Sequence, residues 1–323
     1  MIYDRLHTQI TELWQRMGGL PNPLEAADIW RGIWFDEAHH STAIEGNTLV
    51  FRQVEALLSE GRAIGDKQLR EYMEVKGYAD AADWVYSQGI EPDAWRDGSL
   101  ITQNELRRIH STVTTPVWDV AAHPDATPRE SPGSYREHEI HVFPSGMSPP
   151  SWVLVPAEVA SWITDLNALA GRSVEVPEQL AALHARFERI HPFLDGTGRT
   201  GRLALNLILV RLGYPPAIIY KRQRTEYLRA LRRSDDGDHG LLGEMIARAV
   251  LDNLYKFIVP AVAGPARLVP LDALARDGVS AEALRTAANR GRLQATRGSD
   301  GRWRSSRKWV DEYLTTRWRR GDH

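Results

Sequence analysis

Residues 190–216 read IHPFLDGTGRTGRLALNLILVRLGYPP. Gly196, Thr197 and Gly198 form a loop that opens onto an apolar helix. Along it Leu203, Leu207 and Val210 share one face, and Leu205, Ile208, Leu209 and Leu212 fill the others. A helix apolar nearly all round is a buried one, so the stretch predicts a core helix whose amino end emerges from the interior. The N–H groups and positive dipole end found there make an anion site, and glycines let a phosphate come close. Arg199 and Arg202, three apart, stand on one side of the first turn. Cations at that end oppose the dipole. A bound polyphosphate removes the conflict, because each guanidinium can grip phosphate oxygens.

His191 and Asp195 lie just upstream. An imidazole titrates near neutrality and can take a proton from an attacking hydroxyl. A carboxylate beside a phosphate site usually holds Mg²⁺, which needs only one or two such ligands. Base, metal ligand, anion loop and two arginines suit displacement at a nucleotide phosphate by a hydroxyl. Each part alone has a plainer reading: a turn, a packed histidine, a structural ion pair. Their conjunction within residues 191–202 favours function.

The string resembles the signature of Fic-domain proteins, His-Pro-Phe-x-(Asp/Glu)-Gly-Asn-Gly-Arg-x-x-Arg. It matches at His191, Pro192, Phe193, Asp195, Gly196, Gly198, Arg199 and Arg202. LHARFERIHPF, NLILVRLGYPP and the earlier SPGSYRE are also family-like, so the resemblance spans residues 28–258. It implies a mainly α fold, a helical bundle with a β-hairpin flap. It implies AMP transfer from ATP to a Tyr, Thr or Ser hydroxyl of a target protein, the chain itself included. His191 would be the base and Asp195 would hold Mg²⁺. Gly196, Thr197, Gly198, Arg199 and Arg202 would hold phosphates, with Phe193 as the loop's anchor. Tyr227 would line the adenine side, and Glu139, Ile140, His141, Val142 and Phe143 would clamp the target by strand pairing. Family members often form homodimers. Thr197 stands where the family has Asn, which tolerates strained backbone better than a β-branched residue. Either the loop is shaped differently or the hydroxyl replaces the amide; both bear on efficiency and nucleotide choice.

Residues 41–47, STAIEGN, place Glu45 before Gly46 and Asn47, residues that stop a helix. A carboxylate is disfavoured at a helix's carbonyl end; a solvated, tolerated side chain is the plain reading. The resemblance supplies another. Ser41-x-x-x-Glu45-Gly46 matches the inhibitory motif of Fic proteins, in which Glu45 would pair with Arg202 and hold it off the γ-phosphate.

Periodicity predicts helices over 2–17, 26–45, 52–59, 66–87, 103–113, 156–169, 177–190, 198–212, 223–233 and 240–259. SYREHEIHVF (134–143) and SWVLV (151–155) are β-prone runs joined by a Pro/Gly-rich turn, which predicts a hairpin with an open edge. This divides the chain into a helical region (1–100, with the inhibitory helix at about 28–45), a core (101–258), a linker (259–270) and a tail (271–323). The tail reads as helix, turn, Ser280-capped helix, hairpin and last helix, and it resembles excisionase-like winged helix-turn-helix domains. Such a domain would present Arg285, Asn289, Arg290 and Arg292, with Arg297, Arg302 and Arg304 on the wing, to duplex DNA; protein docking is the alternative. Residues 267–323 carry 13 Lys+Arg against 7 Asp+Glu, and the preceding residues 27 against 35. That asymmetry is consistent with a basic tail on an acidic body.

The 323 residues contain no cysteine, which excludes disulfides, thiol catalysis and Cys-based zinc sites. No run approaches a membrane span and the amino end lacks a signal peptide's pattern, so a cytoplasmic protein is expected. Three readings stay open: an auto-inhibited AMP transferase, a nucleotide-sensing DNA-binding regulator with weakened chemistry, and a hydrolase that removes AMP from a target.

Overall fold

The computed structural model describes residues 1–23, 26–88, 98–140, 148–169, 171, 173–262, 268–276, 278–298 and 301–319. Its centre is the helix read above, α8 (Thr197–Arg211), buried along its length. Around it pack α2 (Ala27–Ile44), α4 (Leu69–Ser87), α5 (Gln103–Val120) and α7 (Val176–Ile190). The outer layer is α1 (Ile2–Met17), α3 (Phe51–Glu60), α6 (Val155–Asn167), α9 (Arg224–Asp235) and α10 (Gly240–Asn253). A π-helical turn, Leu254–Ile258, joins α10 to the short α11 (Val259–Val262), so the single helix expected over 240–259 is interrupted.

Two further departures have local causes. The helix expected to end at 113 runs on to Val120 through Pro116. Pro removes one hydrogen bond and crowds the carbonyl four residues back, here that of Thr112. α4 crosses at this place through Gly77, where an added Cβ would lie 2.3 Å from the Val113 carbonyl oxygen. Continuing also buries Thr114 and Val117, which offsets the lost bond. The strand expected in SWVLV is instead a 3-10 turn, Trp152–Leu154, leading into α6. Pro156 sits in the first helical turn, where its missing N–H costs nothing. Residues 134–140 are irregular and pair with no strand among the described residues. Of the proposed docking strand, Glu139 and Ile140 are described, and His141, Val142 and Phe143 lie outside the described residues.

The tail holds a three-stranded antiparallel sheet in the order β1 (Val269–Pro270), β3 (Trp303–Ser305), β2 (Thr296–Arg297), with Val269 opposite Ser305 and Thr296 opposite Arg304. The first tail helix is only a 3-10 turn, Leu271–Leu274. α12 (Ala281–Asn289) starts at Ser280, whose hydroxyl accepts from the Ala283 amide at 3.1 Å, and α13 (Arg307–Arg319) closes the tail. Arg304 does not project as a wing residue. It is paired with Glu12 of α1 through contacts of 2.5 and 2.9 Å. Among the described residues no helix is long and apolar enough to cross a membrane.

Candidate active site

The site lies where α7 ends and α8 begins. The turn between them requires two left-handed residues. One is Gly196, at φ 78°; the other is His191, at φ 46°, the one non-glycine residue with positive φ among those described. Strain of this kind persists only where surroundings enforce it. Arg136 does so. It is 1% exposed, and its Nε donates to the His191 carbonyl at 2.9 Å. Nη1 donates to the His138 carbonyl at 3.1 Å and Nη2 to that of Pro150 at 2.5 Å. One guanidinium therefore fixes the His191 backbone and gathers both stems of the segment between 138 and 150. Its carbonyl partners at the end of α7 also suit a cation.

Phe193 is fully buried and stacks on the His110 ring at 3.7 Å, 4° from parallel. The Gly133 amide donates to His110 Nδ1 at 2.8 Å, so Nε2 carries the proton that meets the Asp195 carbonyl at 2.9 Å. Burial pushes His110 down to about 4, which keeps this brace neutral. Thr197 lies in the helix, not in strained backbone. Its hydroxyl donates to the Phe193 carbonyl (3.2 Å) and accepts from the Phe193 amide (3.3 Å).

His191 Nδ1 lies 3.3 Å from the Glu188 carbonyl, which can only accept, so this tautomer has its lone pair on Nε2. Burial, aided by Arg136, lowers the imidazole to about 4. Arg199 is 4% exposed and gives one nitrogen to Asp195 Oδ1 at 3.0 Å; its buried Nε and Nη1 have no hydrogen-bond partner among the described residues. Buried donors left unmatched are costly, and here they flank a helix amino end suited to anions. Burial raises the Asp195 carboxyl, but Arg199, the Gly196 amide and Arg70 together hold it below its ordinary value. Asp195 is the carboxylate carried by the loop itself, and the described residues contain no cluster of three metal-ligating side chains. This donor set fits a hard cation that takes its other ligands from phosphate and water.

Arg202 is buried and held from α2. Its Nε donates to Ser41 Oγ at 2.7 Å, and Nη2 donates to the Ser41 carbonyl at 3.0 Å and to Glu45 Oε1 at 2.7 Å. Gly46, at φ 109°, turns the chain immediately afterwards. Gly198 leaves room for the carboxylate, since a Cβ there would stand 2.5 Å from Glu45 Oε1. Partial desolvation raises the half-exposed Glu45, yet Arg202, with Arg199 and His191, brings it below the usual carboxylate value. Tyr227 is buried behind Arg202 with its hydroxyl 2.8 Å from His184 Nε2, and so does not face an open pocket. Beside it, burial lifts Glu188 to about 8.

Sequence reading assigned no role to Arg136, His110 or Arg70. Only SPGSYRE, which contains Arg136, carried a signal. Glu37 was missed as well: it is 2% exposed, and its carboxylate accepts from Tyr78 (2.7 Å), Tyr86 and Asn206 (2.6 Å), fixing α2 to α4 and α8.

The family profile described as Fic/DOC family matches residues 100–209. Protein adenylyltransferase Fic of Drosophila mojavensis is 30% identical over 208 residues, 64% of this chain and 37% of that protein. Protein adenylyltransferase fic-1 of Caenorhabditis briggsae is 32% identical over 211 residues, 65% of this chain and 38% of that protein. The chain thus spans little more than a third of these relatives' length. Among solved structures, Fic-1 (residues 134–508) from C. elegans is similar with TM-score 0.60 and 26% identity, over 77% of this chain and 69% of that one. A Fic domain containing signaling protein from Bacteroides thetaiotaomicron is similar with TM-score 0.58 and 25% identity, over 80% of this chain and 92% of that one. With the motif of residues 191–202 assembled at the head of α8, residues 100–209 of this chain carry a Fic domain.

Proposed function

We propose that the chain is a protein adenylyltransferase whose resting state is auto-inhibited. The observation that carries this is the pairing of Glu45 with Arg202 beside two nitrogens of Arg199, Nε and Nη1, that are unmatched among the described residues, at the amino end of a buried helix. ATP is the proposed nucleotide, its phosphates lying against the 196–198 backbone and the two guanidiniums. Neutral His191 takes the proton of an acceptor hydroxyl through Nε2. The hydroxyl oxygen bonds to the α-phosphorus, the α–β anhydride bond breaks, and pyrophosphate leaves with its charge met by Arg199 and Arg202. Asp195 would hold Mg²⁺, which when bound offsets phosphate charge. The triphosphate's negative charge would also raise His191 from about 4 toward the working range of a base.

Access to Arg202 is what ATP and Glu45 compete for, so activity requires Glu45 to leave. The target segment is proposed to run beside 139–143, whose stems Arg136 gathers. Partners on this reading are ATP and a protein bearing the acceptor, with a homodimer as the family-like assembly. For the tail we propose winged-helix-type duplex binding in the cytoplasm. Its support is the basic composition and the capped α12, with Arg290 and Arg292 exposed along a cleft of about 1090 Å³ between α12 and α13. Arg285 and Arg304 are engaged by Asp272 and Glu12, which narrows the contact set.

Labelling with ATP carrying the tracer at the α- or the γ-phosphate tests the reaction. Protein labelled from the α position alone, and not in His191→Ala, is the expected result. Label from the γ position would overturn AMP transfer. Nucleotide binding with no label in any variant points to the regulator reading, and Glu45-dependent release of AMP from a labelled target to the hydrolase.

A further inference from the structure

Both kinds of charge in the loop are met by a counter-charge from the amino-terminal helices. Glu45 lies on Arg202, where a phosphate oxygen would bind. At the acid the arrangement is reversed. Arg70, in the first turn of α4, brings Nη2 to 3.2 Å from Asp195 Oδ2, while Oδ1 already faces the Gly196 amide at 2.6 Å and Arg199 at 3.0 Å. A guanidinium thus occupies the carboxylate oxygen that a cation would use.

The two contacts are physically joined. Asn47, two residues beyond Glu45, is 4% exposed. Its Nδ2 donates to Glu74 Oε2 at 3.0 Å and to the Glu71 carbonyl at 2.9 Å, and its Oδ1 accepts from the Leu49 amide at 3.0 Å. Glu74 Oε1 in turn accepts from Arg70 Nε at 3.3 Å. The turn that ends the inhibitory helix is therefore seated on α4 by the same carboxylate that aims Arg70 at Asp195.

We propose that Arg70 is a second inhibitory contact, a stand-in for the cation as Glu45 is a stand-in for phosphate, and that the Asn47–Glu74 link makes the two one device. This rests on Asp195 as the metal-holding residue. Arg70 is 41% exposed, so it can swing out without opening the core, and a divalent cation and a guanidinium on one oxygen repel each other. Loss of the Glu45 turn loosens Asn47, hence Glu74, hence Arg70.

Mn²⁺ alone, without nucleotide, is the probe, its unbound fraction read by electron paramagnetic resonance on the full chain. Arg70→Met is expected to bind Mn²⁺ roughly fivefold more tightly than the wild type, the scale of a partly exposed ion pair. The gain should vanish in Arg70→Met/Asp195→Asn, and Asn47→Ala should shift affinity the same way by less. Arg70→Met binding no tighter than wild type, or a gain that survives loss of the Asp195 carboxylate, overturns the proposal. An Asn47→Ala affinity equal to wild type overturns the link to the latch turn. Because no nucleotide or acceptor is present, failure here leaves AMP transfer standing, and absence of AMP transfer leaves this measurement intact.

Discussion

Thr197 is the residue at which this chain leaves the Fic signature, and its environment decides what the change means. Backbone strain falls on Gly196 and His191, so the β-branched side chain carries no penalty, and its hydroxyl meets both backbone groups of Phe193. Thr197→Val keeps the shape and removes both bonds. We expect it to lower unfolding stability by about 1–3 kcal/mol, the cost of leaving buried polar groups unmatched, with a matching loss of activity; urea unfolding checks the first part. At this scale the sequence was informative. Motif and dipole reasoning singled out Arg199, Arg202, Asp195 and Glu45, and the structure brings Glu45 onto Arg202 and Arg199 onto Asp195. Arg136 and His110 were assigned no role, because their partners are set by which loop lies against them, although Arg136 falls within SPGSYRE and His110 on the buried face of α5.

At the scale of elements, α2 and α8 form an antiparallel ladder. As α2 runs from Glu37 to Glu45, its partners on α8 run back from Asn206 to Arg202. The buried Glu37 rung sets the register and the exposed Glu45 rung is the one that opens. The carbonyl end of α2 is further held by Arg224 of α9, whose Nε donates to the Ile44 carbonyl at 2.7 Å. Arg224→Met should loosen only that last turn. A bond worth about 1 kcal/mol predicts an AMP-transfer rate raised severalfold, with the melting temperature shifted little. Helix positions came through in the sequence because apolar spacing is local. The SWVLV stretch did not, since its β-prone run mimics a strand while Pro156 acts as a helix start. The Glu37 cluster was hidden because it joins residues 37, 78, 86 and 206, which no local pattern relates.

Across the whole molecule, buried titratable groups pull stability in opposite directions. His110 and His191 are lowered by burial to about 4 and His184 to about 3, from 6.5. Between those values the unfolded chain binds more protons, so stability falls as pH drops below 6.5. Burial raises Glu37 to about 7 and Glu188 to about 8, from 4.5. There the folded protein binds more protons, and stability is lost as pH rises through 7 and 8. The urea midpoint should therefore peak near pH 6.5 and be lower at both pH 5 and pH 8; a midpoint rising steadily to pH 8 would contradict this. The tail's seat on α1 through Glu12 and Arg304 was also invisible in sequence, where Arg304 read as a wing residue and Glu12 was assigned no role.

The central claim is that Glu45 restrains Arg202, and the initial rate of AMP transfer in Glu45→Gly against wild type tests it most directly. Removing a charged hydrogen bond worth roughly 1.5–3 kcal/mol predicts a rate at least about tenfold higher, abolished again by His191→Ala. A Glu45→Gly rate equal to or below that of the folded wild-type protein would contradict the account.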